Sequence, residues 1–161
     1  MSVMEAPQAV VGTQRDDERR EIIELLTSAY WLEIDTVLNY IAASIVDDGA
    51  CGDELQAALT KGVEEKSEHA ERVGRRIEEL DGIAPGDLLT TDGECLQPPG
   101  RQRDAAAIIE AVLAAETSAI RQYTKIVQVT AEVDRATNAM ATEILSDERR
   151  HLRLFQQHLR A

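Results

Sequence analysis

In the segment SDERRH, Glu148 and His151 stand three residues apart. On a helix that spacing puts a carboxylate and an imidazole on adjacent turns of one face, where both reach a single metal ion. Three more side chains of this chemistry interrupt otherwise apolar stripes. Glu33 falls within Ile22, Leu26, Ala29, Val37 and Tyr40, and Glu116 within Ile109, Val112, Ile120, Tyr123 and Val127. His69 lies between Leu55, Leu59 and Gly62 on one side and Val73, Ile77 and Leu80 on the other. Buried ions cost several kcal/mol each unless something pairs with them, and a metal would do so. Carboxylate oxygens with imidazole nitrogens are ligands for a divalent metal ion.

Each piece has a plainer reading. A lone Glu on an apolar stripe often reaches water at its edge, and Glu-x-x-His arises by chance in acidic helices. Tyr40 and Tyr123 read equally well as core residues bonded through their hydroxyls. The inference rests on joint occurrence in register. Tyr40 follows Glu33 by seven residues, and Tyr123 follows Glu116 by seven; His69 lies 36 residues after Glu33, and His151 lies 35 after Glu116. The first half of the chain therefore looks like a copy of the second. A step of seven rotates only about 20° around a helix, so each Tyr shares the inward face of its Glu.

Four long helices must hold these groups. Gly and Pro concentrate at Pro7, Gly12, Gly49, Gly52, Gly82 and the stretch from Pro85 to Gly100, and strong helix formers fill the intervals. The spacing of three and four between apolar residues predicts helices over 16–46, 53–80, 103–129 and 134–159. Short links make the first and last pairs antiparallel hairpins, whereas about twenty residues between the second and third helices form a crossover. The expected architecture is an all-α antiparallel four-helix bundle over residues 16–161, preceded by a flexible tail over 1–15.

Composition bounds the function. With 30 Asp plus Glu against 17 Lys plus Arg, the net charge is -13. Nucleic acid and anionic membranes need clustered basic charge, so neither is an expected partner. No apolar run reaches the length of a membrane span, and residues 1–15 lack the pattern of a secretory signal, so a cytoplasmic protein is expected. Cys51 and Cys95 cannot form a metal knuckle alone; reduced thiols are the expectation there, with a disulfide left open. Only three lysines occur, Lys61, Lys66 and Lys125, beside 14 arginines.

The segments EHAERVGRRIEELDG (68–82) and ILSDERRH (144–151) resemble the second and fourth helices of bacterioferritins. The run AAETSAIRQYTKIVQVTAEVDRATNAMATEILSDERRH is closer still to the Dps-like proteins of archaea and bacteria. The chain thus resembles the ferritin-like superfamily over about residues 16–160, and its pattern matches the di-metal carboxylate bundles with one long crossover. The resemblance implies metal ligands at Glu33, His69, Glu116, Glu148 and His151, with Tyr40 and Tyr123 bonding nearby carboxylates or donating an electron. It implies a di-iron site, oxidation of Fe(II) by peroxide or oxygen, and storage of Fe(III) in a hollow homo-oligomeric cage, dodecameric in the Dps-like branch. Protection against oxidative stress follows. A manganese-dependent peroxide dismutase is an alternative. The Dps-like branch usually carries one Cys in the long loop and another early in the third helix; Cys95 fits the first, but Ser118 stands at the second, so that disulfide cannot form.

The resemblance also calls for Glu three residues before His69, where this chain has Lys66. Four carboxylates neutralise two divalent ions, but three carboxylates and an ammonium leave a net of -2, enough for one. An ammonium about 4 Å from a divalent ion is repelled by roughly 8 kcal/mol at an effective dielectric of 20. Three arrangements meet this constraint. Glu65, four before His69 and on the same face, replaces the missing ligand while Lys66 turns aside; this is the expected set. Alternatively, Lys66 points inward and leaves a mononuclear or empty site, which makes the protein a degenerate, structural or regulatory relative. The third option is a desolvated, neutral Lys66.

Overall fold

The computed structural model describes residues 8–46, 52–86 and 105–158. Within them the chain forms α1 (Gln8–Val46), α2 (Gly52–Glu79), α3 (Ala105–Thr130) and α4 (Arg135–His158). The boundaries of α2, α3 and α4 lie within two residues of those expected. α1 instead begins eight residues before Asp16, so helix replaces the expected tail over 8–15. A single Gly such as Gly12 weakens a helix by only about 1 kcal/mol, and Pro7 is the stronger barrier. Cys51 and Cys95 lie outside the described residues. No described helix is long and apolar enough to cross a membrane.

Two helix ends show how local sequence sets the boundaries. At the end of α2, Gly82 N–H donates to Ile77 O and Asp81 N–H to Glu78 O, the paired bonds of a Schellman cap. Asp81 takes the left-handed conformation this cap needs, with φ 59°. Gly82 follows because a Cβ there would stand 2.8 Å from Ile77 Cγ2. At the start of α4, Asp134 caps the helix by accepting from the Thr137 N–H at 3.0 Å. Arg76 of α2 donates to both Asp134 oxygens and to Thr137 Oγ1, tying the second helix to the fourth.

Side-chain pairs fix the directions. Between α1 and α2, Glu33 meets Lys66 and Tyr40 lies against Gly62. Between α1 and α3, Tyr123 bonds Glu33 and Tyr40 bonds Glu116. Arg76 with Thr137 and Lys66 with Glu148 relate α2 to α4, and Asn138 with Val127 and His151 with Glu116 relate α4 to α3. In every case numbers rise along one helix as they fall along the other, so each pair is antiparallel. α2 and α3 therefore run parallel, and the chain between them must return the length of the bundle. That is the long crossover of the expected fold.

The interior is divided. One apolar cluster contains Leu26, Val73, Ile77, Ile126 and Ile144; the other contains Leu55, Leu59, Ile109, Val112 and Phe155. Between them lies a buried polar layer of Glu33, Lys66, His69, Glu116, Glu148 and His151. The polar residues are thus carried by a framework whose apolar ends supply the burial free energy, at roughly 25 cal/mol per Å² of apolar surface.

Candidate metal centre

Every helix contributes one or two residues to the layer. α1 supplies Glu33, α3 supplies Glu116, α2 supplies Lys66 and His69, and α4 supplies Glu148 and His151. Each sits on the inward stripe that its apolar neighbours define, which is why charged groups come to be buried. The tyrosines close the layer above and below. Tyr123 donates to Glu33 Oε1 at 2.7 Å, and Tyr40 donates to Glu116 Oε1. Each tyrosine therefore bonds a candidate ligand directly and across the repeat, from the helix opposite the one that carries the Glu. Burial, reinforced by the neighbouring carboxylates, drives both phenols far above their ordinary pKa, so both are donors. The Tyr40 ring fits because α2 has Gly62 beside it; a Cβ there would stand 2.5 Å from the ring.

Lys66 enters the layer rather than turning aside. It is fully buried, bonds Glu148 Oε2, donates to Glu116 Oε2 at 3.2 Å and lies 3.7 Å from Glu33 Oε2. Burial alone would favour the neutral amine, but Glu33, Glu116 and Glu148 outweigh it and raise its pKa, so Lys66 is an ammonium. The structure therefore has the inward, charged arrangement of the three that the sequence allowed. Glu65, the expected replacement ligand, bonds the outer nitrogen of His151, Nε2, and belongs to neither ligand group among the described residues.

The histidines are held alike. His151 turns Nε2 to Glu65 and Nδ1 inward, with Nδ1 3.8 Å from Glu116 Oε2. His69 turns Nε2 to Asp147, 3.4 Å away, and Nδ1 inward, 3.0 Å from Glu148 Oε1 and 3.6 Å from Glu33 Oε1. An acid on the outer nitrogen orients the ring and leaves the inner one for a metal. Arg150 bridges the two acids, 3.0 Å from Asp147 Oδ1 and 3.4 Å from Glu65 Oε1. Sequence reasoning missed Asp147 and Arg150. The repeat carries the clue to the first: Glu65 precedes Lys66 as Asp147 precedes Glu148.

The charges differ between the halves. Burial opposes the His69 imidazolium, yet Glu148 and Glu33 lift its pKa to about 9. Burial, aided by Lys66, lowers that of His151 and keeps it neutral. Burial pushes Glu116 up to about 7.

Two groups of potential ligands share Glu148: Glu33, His69 and Glu148, and Glu116, Glu148 and His151. Within each, ligand atoms lie within 4.8 Å of one another. Among the described residues, the buried side-chain atoms without a hydrogen bond are Glu33 Oε2, His69 Nδ1, Glu148 Oε1 and His151 Nδ1. The first group holds three of them, two oxygens and a nitrogen, and so fits a hard divalent ion. In the second group both Glu116 oxygens and Glu148 Oε2 are already engaged.

Fold and site together define a four-helix bundle with a carboxylate and histidine centre built from an internal repeat. The family model for the ferritin-like domain matches residues 23–161, and the chain belongs to that family. No curated protein matches the sequence. Among solved structures, the dodecameric thioferritin of Bacteroides fragilis, a bacterioferritin-related protein, is 24% identical with a TM-score of 0.76, over 88% of this chain and 85% of that one. Bacterioferritin from Desulfovibrio desulfuricans, described with a diiron site, is 25% identical with a TM-score of 0.72, over 90% of this chain and 81% of that one. Dps from Thermosynechococcus elongatus is 16% identical with a TM-score of 0.81, over 91% of this chain and 94% of that one. This chain is thus ferritin-like, with bacterioferritin-related and Dps proteins as its structural relatives.

Proposed function

We propose that this protein is an iron-handling member of the family, which takes Fe(II) at the centre of its bundle, where peroxide or oxygen oxidises it, and sequesters Fe(III) in a homo-oligomeric cage. The observation that supports this is the convergence of Glu33 Oε2, His69 Nδ1 and Glu148 Oε1, three buried ligand atoms without hydrogen bonds. Leaving such atoms unpaired costs about 1–3 kcal/mol each, and a metal removes that cost. The net charge of -13 draws cations towards the protein. An outward stripe on α1, made by exposed Leu38, Ile41 and Ile45, supports contact between copies. Protection against oxidative damage in the cytoplasm is the role that fits this chemistry.

Lys66 favours a second reading, a structural relative whose centre is held by ion pairs without metal. Anaerobic Fe(II) titration followed by addition of peroxide separates the two. The first reading expects tight uptake and rapid appearance of ferric absorbance. Uptake no greater than that of a Glu33→Ala, His69→Ala double variant would establish the second. Sedimentation of wild type and Ile41→Asp reports whether the stripe joins copies.

A further inference from the structure

The polar layer has the plan of two half-sites related by the internal repeat. Glu33 and His69 form one, Glu116 and His151 the other. The two central positions, equivalent in the repeat, are Lys66 and Glu148. We propose that the Lys66 ammonium permanently replaces one metal of a pair, so that the centre takes a single divalent cation, held by Glu33, His69 and Glu148. The proposal rests on the reading that this centre binds metal, and it says how many ions and which half.

The occupied atoms carry the argument. In the Glu116 half, Oε1 accepts from Tyr40 and Oε2 from Lys66, while Lys66 also takes Glu148 Oε2. His151 Nδ1 is the one atom peculiar to that half without a hydrogen bond. In the Glu33 half, Glu33 Oε2 and His69 Nδ1 are both without one, and Glu148 Oε1 stands 3.0 Å from His69 Nδ1. A metal in the Glu33 half displaces only the proton that His69 Nδ1 holds against Glu148 Oε1 and the longer contact of Lys66 with Glu33 Oε2, 3.7 Å. A metal in the other half must first break the contacts of a fully buried ammonium.

Charge leads to the same count. Once a bound ion has displaced the His69 proton, Glu33, Glu116 and Glu148 as carboxylates with one ammonium carry -2, which one divalent ion neutralises and two would overturn to +2. Glu33, Lys66, Glu116 and Glu148 are all buried, so bulk solvent screens little of that excess. Apolar side chains flank the layer on both sides, Tyr40, Phe155 and Leu59 on one and Val73 and Ile144 on the other. Glu65, a carboxylate outside the layer, is committed to His151 and Lys61.

Equilibrium titration of the full chain in its assembled form with Co(II), with bound metal counted after gel filtration, tests the number and the place. The expected result is one equivalent per chain in wild type, lost at least tenfold in affinity in His69→Ala and retained in His151→Ala. Two equivalents in wild type, or loss in His151→Ala with retention in His69→Ala, would overturn the proposal. No binding at all would sink the metal-binding reading with it, whereas two equivalents would leave that reading intact. Lys66→Glu should bind two equivalents. Should that variant not fold, paramagnetic resonance of wild type saturated with Mn(II) and freed of unbound ion by gel filtration decides the question. Uncoupled six-line spectra are expected from the bound ion, and an exchange-coupled pair would refute the proposal.

Discussion

Lys66 and Glu148 hold equivalent places in the two halves of the chain's repeat, and at the centre of the bundle they are bonded to each other. The repeat otherwise keeps its chemistry: Glu33 with Glu116, Tyr40 with Tyr123, His69 with His151, Glu65 with Asp147. A single change of sign at the central pair distinguishes the two half-sites. It commits the Glu116 side to the Lys66 ion pair and leaves three ligand atoms of the Glu33 group, Glu33 Oε2, His69 Nδ1 and Glu148 Oε1, without hydrogen bonds.

Removing the ammonium should show what it stabilises. Lys66→Met leaves three buried carboxylates facing one another, and breaking a buried ion pair typically costs about 3–5 kcal/mol. Urea unfolding with chelator present should reveal a loss of that size, and a divalent metal should restore much of it. Unchanged stability in chelator would mean that the carboxylates shed their charge at little cost.

The orienting acids should differ in their effect on metal. Asp147 lies against the outer nitrogen of His69, a ligand under the single-ion proposal, and Glu65 against that of His151, which the proposal leaves without metal. Loss of such a partner typically lowers affinity by roughly 10–100-fold. Asp147→Ala should therefore weaken metal binding by about that factor, and Glu65→Ala should change it less than threefold. Calorimetric titration checks both, and equal losses would place metal on both histidines.

A similar asymmetry applies to the tyrosines. Tyr123→Phe removes the donor to Glu33 and should weaken metal binding about five-fold, the equivalent of one hydrogen bond near 1 kcal/mol. Tyr40→Phe should cost about 1–3 kcal/mol of stability, through the unsatisfied Glu116 oxygen, with little change in affinity. Gly62→Ala, which forces the Tyr40 ring away, should mimic the latter. Affinity and unfolding measured on the three variants give the comparison.

Much of the architecture was legible in the sequence, because long apolar stripes of period three to four leave few alternatives. Glu33, Glu116, His69, Glu148 and His151 stood out as polar residues on those stripes. The choice between Glu65 and Lys66 was not legible. Steps of three and four residues both lie near His69 on the helix face, so geometry does not discriminate. What decides is three carboxylates from three other helices gathering on one ammonium, a tertiary balance that no single stripe shows. The start of α1 was missed for a related reason: Gly12 weakens a helix without ending it.

Acidity should act on the metal-free protein in a defined direction. The folded pKa of His69 is raised from 6.5 to about 9, and that of Glu116 from 4.5 to about 7. In both intervals the folded chain holds more protons than the unfolded, so these contributions are full at the lower value and disappear as pH rises through the folded one. The His69 and Glu116 contributions in chelator should fall between about pH 5 and 9, opposed below pH 6.5 by His151, whose lowered pKa makes stability rise with pH there. Metal needs the Nδ1 lone pair, so apparent affinity should rise about tenfold per unit up to about pH 9. Melting curves and metal titrations across that range test both; an affinity independent of pH would exclude His69 as a ligand.

Anomalous scattering at the iron edge, from crystals loaded anaerobically with Fe(II), tests the central claim most directly. The account predicts one peak among Glu33, His69 and Glu148, with Lys66 still bonded to Glu148. Two peaks flanking Glu148, with Lys66 displaced from the layer, would contradict it.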